Sequence, residues 1–340
     1  MAETPPAPRR TAAVTAVGKY LPPDRLTNAD LEALVDTNDE WIRSRTGIRE
    51  RRILKDPTKA TAFMATEAAR EALAKRGVGP ETVDLVLVAT ITPDVTFPAT
   101  ACLVQDRLGA PRAWGYDISA ACSGFLFGLS TAARFVEAGA SKRALVIGAD
   151  TMTRILNFED RTTCVLFGDG AGAVLVEPTD DGTGLLDAVH YTDGSGVHAL
   201  SQPAGGSLLP PTHETVDARL HYVQQDGKAV FKRAVVGMAD AAAEVMERNG
   251  LTAEDVRYLV PHQANLRIIE ATARRMGIDP GKVMLNIERY GNTTAGTLPL
   301  CLADWEPRLR RGDNLVLASF GGGFTWGASW LKWSYDGSGE

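Results

Sequence analysis

The chain has 340 residues, with 36 Lys and Arg against 42 Asp and Glu and a formal net charge of −6. That balance argues against a general nucleic-acid binder, which is usually basic. Hydrophobic residues make up 44% and charged residues 23%, as in a globular protein long enough to bury a large core. The four cysteines, Cys102, Cys122, Cys164 and Cys301, are scattered with no C-x-x-C pair, which points away from a disulfide framework or a zinc site.

In chain order, residues 1–10 are rich in Pro and Ala and read as a flexible tail rather than a signal peptide. Over residues 61–76, Met64, Ala65, Ala68, Ala69, Ala72 and Leu73 share one helical stripe, and Gly77 ends the helix. Residues 83–89 form a short apolar run, as a buried strand does, and residues 145–148 and 174–176 read likewise. Residues 116–130 (YDISAACSGFLFGLS) lead through Cys122 into a helix of small and apolar residues. Residues 167–172 (FGDGAG) have the wrong glycine spacing for a dinucleotide fingerprint and precede a strand; they read as a turn. Residues 177–217, rich in Gly, Pro, Thr and Asp, read as a linker or a functional insert. No apolar run reaches the roughly 18 residues of a membrane span, so the expectation is a cytoplasmic protein without membrane contact. Alternating strands and helices predict an α/β fold with helix-covered sheets.

The chain repeats itself. GVGPETVDLVLV at Gly77 matches GLTAEDVRYLVP at Gly250, a shift of 173 residues. ALVIGA at Ala144 matches NLVLAS at Asn314 with a shift of 170, and Arg107-Leu108-Gly109 resembles Arg275-Met276-Gly277 with a shift of 168. Each match is weak alone, but their common order and spacing predict two halves: residues 11–177 and residues 178–340.

Three residue types that can do chemistry fall at related places. Cys122 stands at a predicted helix start, where the helix dipole and free N–H groups favour a thiolate. Position alone leaves a buried core cysteine as the alternative. A shift of 170 maps Cys122 onto Asn292, within RYGNTTAGTLP. His262 follows the strand that repeats residues 83–89, at a carboxyl end where α/β sheets bind ligands; a structural histidine is the other reading. His190, His198, His213 and His221 lie in polar segments and read as surface residues. In residues 319–326 (SFGGGFTW) the glycines allow close backbone approach and fit an oxyanion hole, and equally a tight turn between strands.

Taken together, EWIRSRTGIRER, AACSG, FGDGAG, PHQANLR, GNTT and FGGGFTWG closely resemble the β-ketoacyl-acyl-carrier-protein synthase III family over residues 11–333. The resemblance implies a thiolase-like fold, duplicated in five layers αβαβα, and an acyltransferase that starts fatty-acid synthesis. Cys122 would take the acyl group from an acyl-CoA, acetyl-CoA in the first instance. Malonyl-acyl-carrier-protein would then lose carbon dioxide while His262 and Asn292 donate hydrogen bonds to the developing enolate. The N–H groups of Cys122 and Gly322 would form the oxyanion hole. No cofactor and no metal are implied, since acyl-CoA is a substrate.

By the same resemblance, Trp41 and Arg154 would sandwich the adenine of CoA, with Thr37 and Arg45 nearby. Asn265 would order the backbone near the site, and Phe97 would close the partner's acyl pocket in a homodimer. Lys232, Arg267, Arg274 and Arg275 would receive the acidic acyl carrier protein, unless they form a plain solvated face. One departure stands out: Gln224-Gln225-Asp226-Gly227 replaces a Met-Asn-Gly type segment that lines the tunnel, so Gly227 is carried over while primer choice stays open. The alternatives are a relative that uses a branched, dicarboxylic or other unusual primer in a secondary pathway, and an idle dimer that only binds the carrier protein.

Overall fold

The computed structural model describes residues 10–337; the expected tail, apart from Arg10, lies outside them. Two sheets are built on one plan. In the first, strands Thr11–Tyr20, Asp169–Thr179, Ala144–Thr151, Leu85–Ala89 and Trp114–Ile118 lie side by side in that order. In the second the order is Gly184–Thr192, Thr325–Lys332, Asn314–Gly321 and Tyr258–Pro261, with Val283 bridged in parallel to Leu259. Both sheets pair antiparallel, antiparallel, then parallel along the row.

Strand alternation explains the layering. Leu85 and Leu87 face a central core, while Val86 and Val88 face an outer one. In the second sheet Leu315 and Leu317 face the same central core, and Val316 and Ala318 face a third. Helices Gly124–Glu137 and Thr297–Trp305 fill the central layer between the sheets. Helices Thr61–Arg76 and Thr100–Leu108 cover the first sheet outside, and Gly227–Arg248 and Leu266–Met276 cover the second. This is the five-layer thiolase-like arrangement.

Three sequence expectations need correction. The FGDGAG run is not a turn, because the strand begins at Asp169. Its glycines make room for the central helix: a Cβ at Gly172 would stand 2.7 Å from Pro299 Cβ. Residues 177–217 are not simply a linker or an insert, since they carry the edge strand Gly184–Thr192 of the second sheet. The strand of the first sheet runs on to Thr179, so the chain changes halves over residues 180–183 rather than after residue 177.

The repeat also has a finer register. Cys122 lies in a 3-10 turn, Ala121–Ser123, leading into the helix Gly124–Glu137. Its structural counterpart is the turn Thr294–Gly296 before the helix Thr297–Trp305. Ala121 has φ 47° and Thr294 has φ 49°, so the two turns share a left-handed residue 173 positions apart. The counterpart of Cys122 is therefore Ala295, and that of Asn292 is Ser119. The second half is three residues shorter between helix start and next strand, so a shift taken from the strands misplaces the turns.

Candidate active site

Cys122 sits where the two halves meet, nearly fully buried. Its turn is pinned by the opposite half. Ser319 Oγ donates to the Cys122 carbonyl at 2.8 Å, Thr325 Oγ1 to the Ala120 carbonyl at 2.9 Å, and Ser123 Oγ to the Thr325 carbonyl at 3.0 Å. The hairpin between strands Asn314–Gly321 and Thr325–Lys332 lies against it so closely that a Cβ at Gly321 would stand 2.7 Å from Cys122 N. Only glycine fits that approach. Gly322, in the same hairpin turn, borders the cavity beside Cys122.

His262 follows the strand Tyr258–Pro261 and is fixed through its own N–H, which donates to the Ala318 carbonyl at 2.8 Å. Its Nδ1 lies 2.7 Å from Thr297 Oγ1 at the head of the central helix. Burial pushes the imidazole down to about 3, so the ring is neutral in ordinary buffers. Asn292 is held by a short parallel bridge to Phe167: its N–H donates to Leu166 and its carbonyl accepts from Gly168. Its side-chain Oδ1 accepts from Thr294 N at 2.8 Å, which turns the amide NH2 toward Cys122. Gln263 welds the His262 loop to its neighbour by donating to Pro261 and Met284 and accepting from the N–H groups of Asn286 and Ile287.

The thiol itself departs from expectation. Burial pushes Cys122 up to about 12, with the buried Asp150 carboxylate adding to the rise; its own backbone N–H and Asn292 pull the other way. Desolvation outweighs those two hydrogen bonds, so burial favours the thiol over the thiolate.

Cys122 borders two cavities. One, of about 310 Å³, is mainly apolar, with Ile91, Met152, Ile155, Phe167, Leu200 and Val223 among its walls. The other, of about 670 Å³, leads outward past His262, Asn292 and Phe320 to Trp41, Arg45 and Arg267. Gly227, Lys232 and Asn265 line the outer part. Asn265 caps the helix Leu266–Met276 and donates from Nδ2 to the Arg45 carbonyl at 2.9 Å.

Other expected site residues lie apart. Arg154 is not beside Trp41: its guanidinium donates to the carbonyls of Leu54 and Asp56. The arginine over the Trp41 ring is Arg161, 5.8 Å from the centroid, with Arg45 at 6.0 Å. Arg161 was missed because it lies in an irregular stretch; its place just before the FGDGAG run was the available signal. Thr37 precedes the helix Asp39–Thr46 that carries Trp41, and its buried Oγ1 has no partner. Phe97 is 84% exposed and reaches neither cavity of its own chain. Arg274 and Arg275 stand away from the entry cavity, facing Glu270 and Asp240. Lys228, unremarked in the sequence, lines it.

A duplicated five-layer α/β fold, with a cysteine at the head of a central helix between an inner chamber and an outward channel, defines a thiolase-fold condensing acyltransferase. Comparison with known proteins narrows the class. Family models described as 3-oxoacyl-[acyl-carrier-protein] synthase III match residues 116–194, and its C-terminal part matches residues 246–333. The β-ketoacyl-[acyl-carrier-protein] synthase III of Chlorobium chlorochromatii is 61% identical over 326 residues, covering 95% of this chain and 99% of its own. The crystal structure of the Aquifex aeolicus 3-oxoacyl-[acyl-carrier-protein] synthase III superimposes with a TM-score of 0.87 at 43% identity, over 95% of this chain and 100% of its own. A priming β-ketosynthase of a polyketide biosynthetic pathway superimposes with a TM-score of 0.89 at 36% identity, over 96% and 98%. The chain belongs to the β-ketoacyl-acyl-carrier-protein synthase III family.

Proposed function

We propose that the protein condenses an acyl-CoA primer with malonyl-acyl-carrier-protein to begin a fatty-acid chain, with Cys122, His262 and Asn292 as its catalytic residues. The observation that carries this reading is the position of Cys122, which opens on both the apolar chamber and the channel holding His262 and Asn292.

In the first stage Cys122 attacks the CoA thioester. The tetrahedral oxyanion forms against the N–H groups of Cys122 and Gly322, and the thiol proton ends on the departing CoA sulfur. Because Cys122 rests as a thiol, its proton leaves during attack rather than before it. The acyl chain occupies the inner chamber. In the second stage malonyl-acyl-carrier-protein enters the same channel and loses carbon dioxide. His262 and Asn292 donate to its thioester oxygen as the enolate forms. A neutral imidazole is the right partner, since an unpaired buried imidazolium would be costly. The enolate carbon attacks the Cys122 thioester, and expulsion of the cysteine sulfur, which takes up a proton, yields the β-ketoacyl product. The scheme calls for no cofactor and no metal.

Trp41 and Arg161 at the channel mouth suit an adenine stacked between an aromatic ring and a guanidinium; Thr37 and Arg45 flank them. Lys228, Lys232 and Arg267 give the mouth a positive rim for an acidic carrier protein, with Arg274 and Arg275 as an outer extension. The strand Trp114–Ile118 leaves one edge of the first sheet unpaired, with Trp114 exposed. Pairing of two copies along such edges buries them and supports a homodimer in which the partner's Phe97 closes the chamber. No described helix is long and apolar enough to cross a membrane, and we assign the enzyme to the cytoplasm, where free thiols persist.

Acetyl-CoA is the primer of the first reading. The chamber of about 310 Å³ favours a second, a longer or branched primer, because an acetyl group would fill only a small part of it. Intact mass spectrometry with a series of acyl-CoAs decides. Cys122 should gain one acyl group, Cys122→Ala none, and the chain length accepted fastest identifies the primer. Acylation of the Cys122→Ala protein overturns the mechanism.

A further inference from the structure

Asp150, next to last in the strand Ala144–Thr151, is fully buried. Its two oxygens accept from five neutral donors. Thr90 Oγ1 at 3.0 Å, Ile91 N at 2.8 Å and Thr92 Oγ1 at 3.0 Å meet Oδ1 from the first half. Thr294 Oγ1 and, at 3.2 Å, Ala295 N meet Oδ2 from the second. Burying a carboxylate among neutral partners is costly. Donors on both oxygens show a pocket shaped for a group that only accepts; a carboxamide would turn its NH2 against them.

The second-half partners belong to the turn that orients Asn292. Thr294 is β-branched yet holds φ 49°, a conformation such residues avoid. Its hydroxyl is taken by Asp150, while its backbone N–H fixes Asn292 Oδ1 at 2.8 Å. We propose that Asp150 is a positioning residue for the condensation stage, holding the Thr294 turn in its left-handed shape across the junction of the halves and so aiming the Asn292 amide at the enolate oxygen. The inference rests on the roles given above to Cys122, His262 and Asn292. Asp150 does not touch the substrate; it acts through Thr294.

The test uses the full-length protein and three variants, Asp150→Asn, Thr294→Val and Thr294→Ser. Two rates are measured for each: acylation of Cys122 by acyl-CoA, and single-turnover condensation of the pre-acylated enzyme with malonyl-acyl-carrier-protein. Misaiming a donor by about 1 Å costs up to about 100-fold. Asp150→Asn and Thr294→Val should therefore slow condensation by roughly 10–100-fold and acylation far less, with the fall in kcat and not in KM. Thr294→Ser keeps the hydroxyl and should recover most of the lost condensation. Equal loss of both stages, unchanged condensation, or a Thr294→Ser protein as impaired as Thr294→Val overturns the proposal. If Asp150→Asn does not fold, the Thr294 pair decides, because it probes the other end of the same hydrogen bond. A wild-type protein that acylates but does not condense would instead overturn the underlying reading.

Discussion

Gly321→Ala is the smallest change that reaches the acyl-transfer step. The new Cβ would stand 2.7 Å from Cys122 N, 3.1 Å from Ser123 N and 3.2 Å from Ala121 Cβ. Ordinary contact begins near ~3.5 Å, so the hairpin and the cysteine turn must part by about 0.8 Å. Neither is a flexible side-chain end: the turn is pinned through Ser319, Thr325 and Ser123. Displacement by about 1 Å costs up to 10²-fold in rate, so acylation should slow by roughly 10–100-fold, about 1.4–2.7 kcal/mol of barrier. Overpacking should also lower stability by about 1–3 kcal/mol. The assay is the rate of CoA release with one equivalent of acyl-CoA, checked by intact mass, with urea unfolding alongside. Gly206→Ala, whose Cβ would meet nothing within 4 Å, serves as control. A folded Gly321→Ala protein that acylates at the wild-type rate would refute the claim that this approach forms the oxyanion site.

The remaining predictions concern charge and division of labour. With Cys122 held near 12, its alkylation by iodoacetamide should climb about tenfold per pH unit between pH 6 and 10; a plateau by pH 8 would show a thiolate at rest. His262→Ala or Asn292→Ala should cost condensation about 10²–10³-fold and acylation much less, measured as separate single turnovers; equal collapse of both in folded proteins would contradict the two roles. Arg274→Glu with Arg275→Glu should slow use of malonyl-acyl-carrier-protein, more at low salt, and spare small acyl-CoAs. Equal effects on both substrates, or none, would mark a solvated helix face.

Much of the fold was legible because apolar strands carry their own period. The alternation of Leu85, Val86, Leu87 and Val88 reappears at Leu315, Val316, Leu317 and Ala318, and both runs are buried as the pattern requires. Turns carry no such period. The register that maps Cys122 to Asn292 therefore came from strands and missed by three residues. Arg161 escaped for a related reason: it lies in an irregular stretch, and which arginine meets Trp41 depends on the course of the chain. Glycines in FGDGAG suggested a bend, whereas helix packing across the strand is what demands them. For Cys122 the sequence shows a helix start but not the depth of burial that opposes it.

The matched left-handed residues Ala121 and Thr294 bear on how this enzyme can be taken apart. The machinery is divided between two look-alike lobes, so neither lobe alone owns a complete centre. Cutting the gene between the lobes should give fragments that are silent apart and regain activity only when mixed. A circular permutant that opens the chain at residues 180–183 and joins the old termini keeps both lobes in one polypeptide, provided the added linker spans them. In that sense the two halves resemble the subunits of a fused heterodimer, and the join between them is a place where the order of the gene can change while the catalytic seam stays whole.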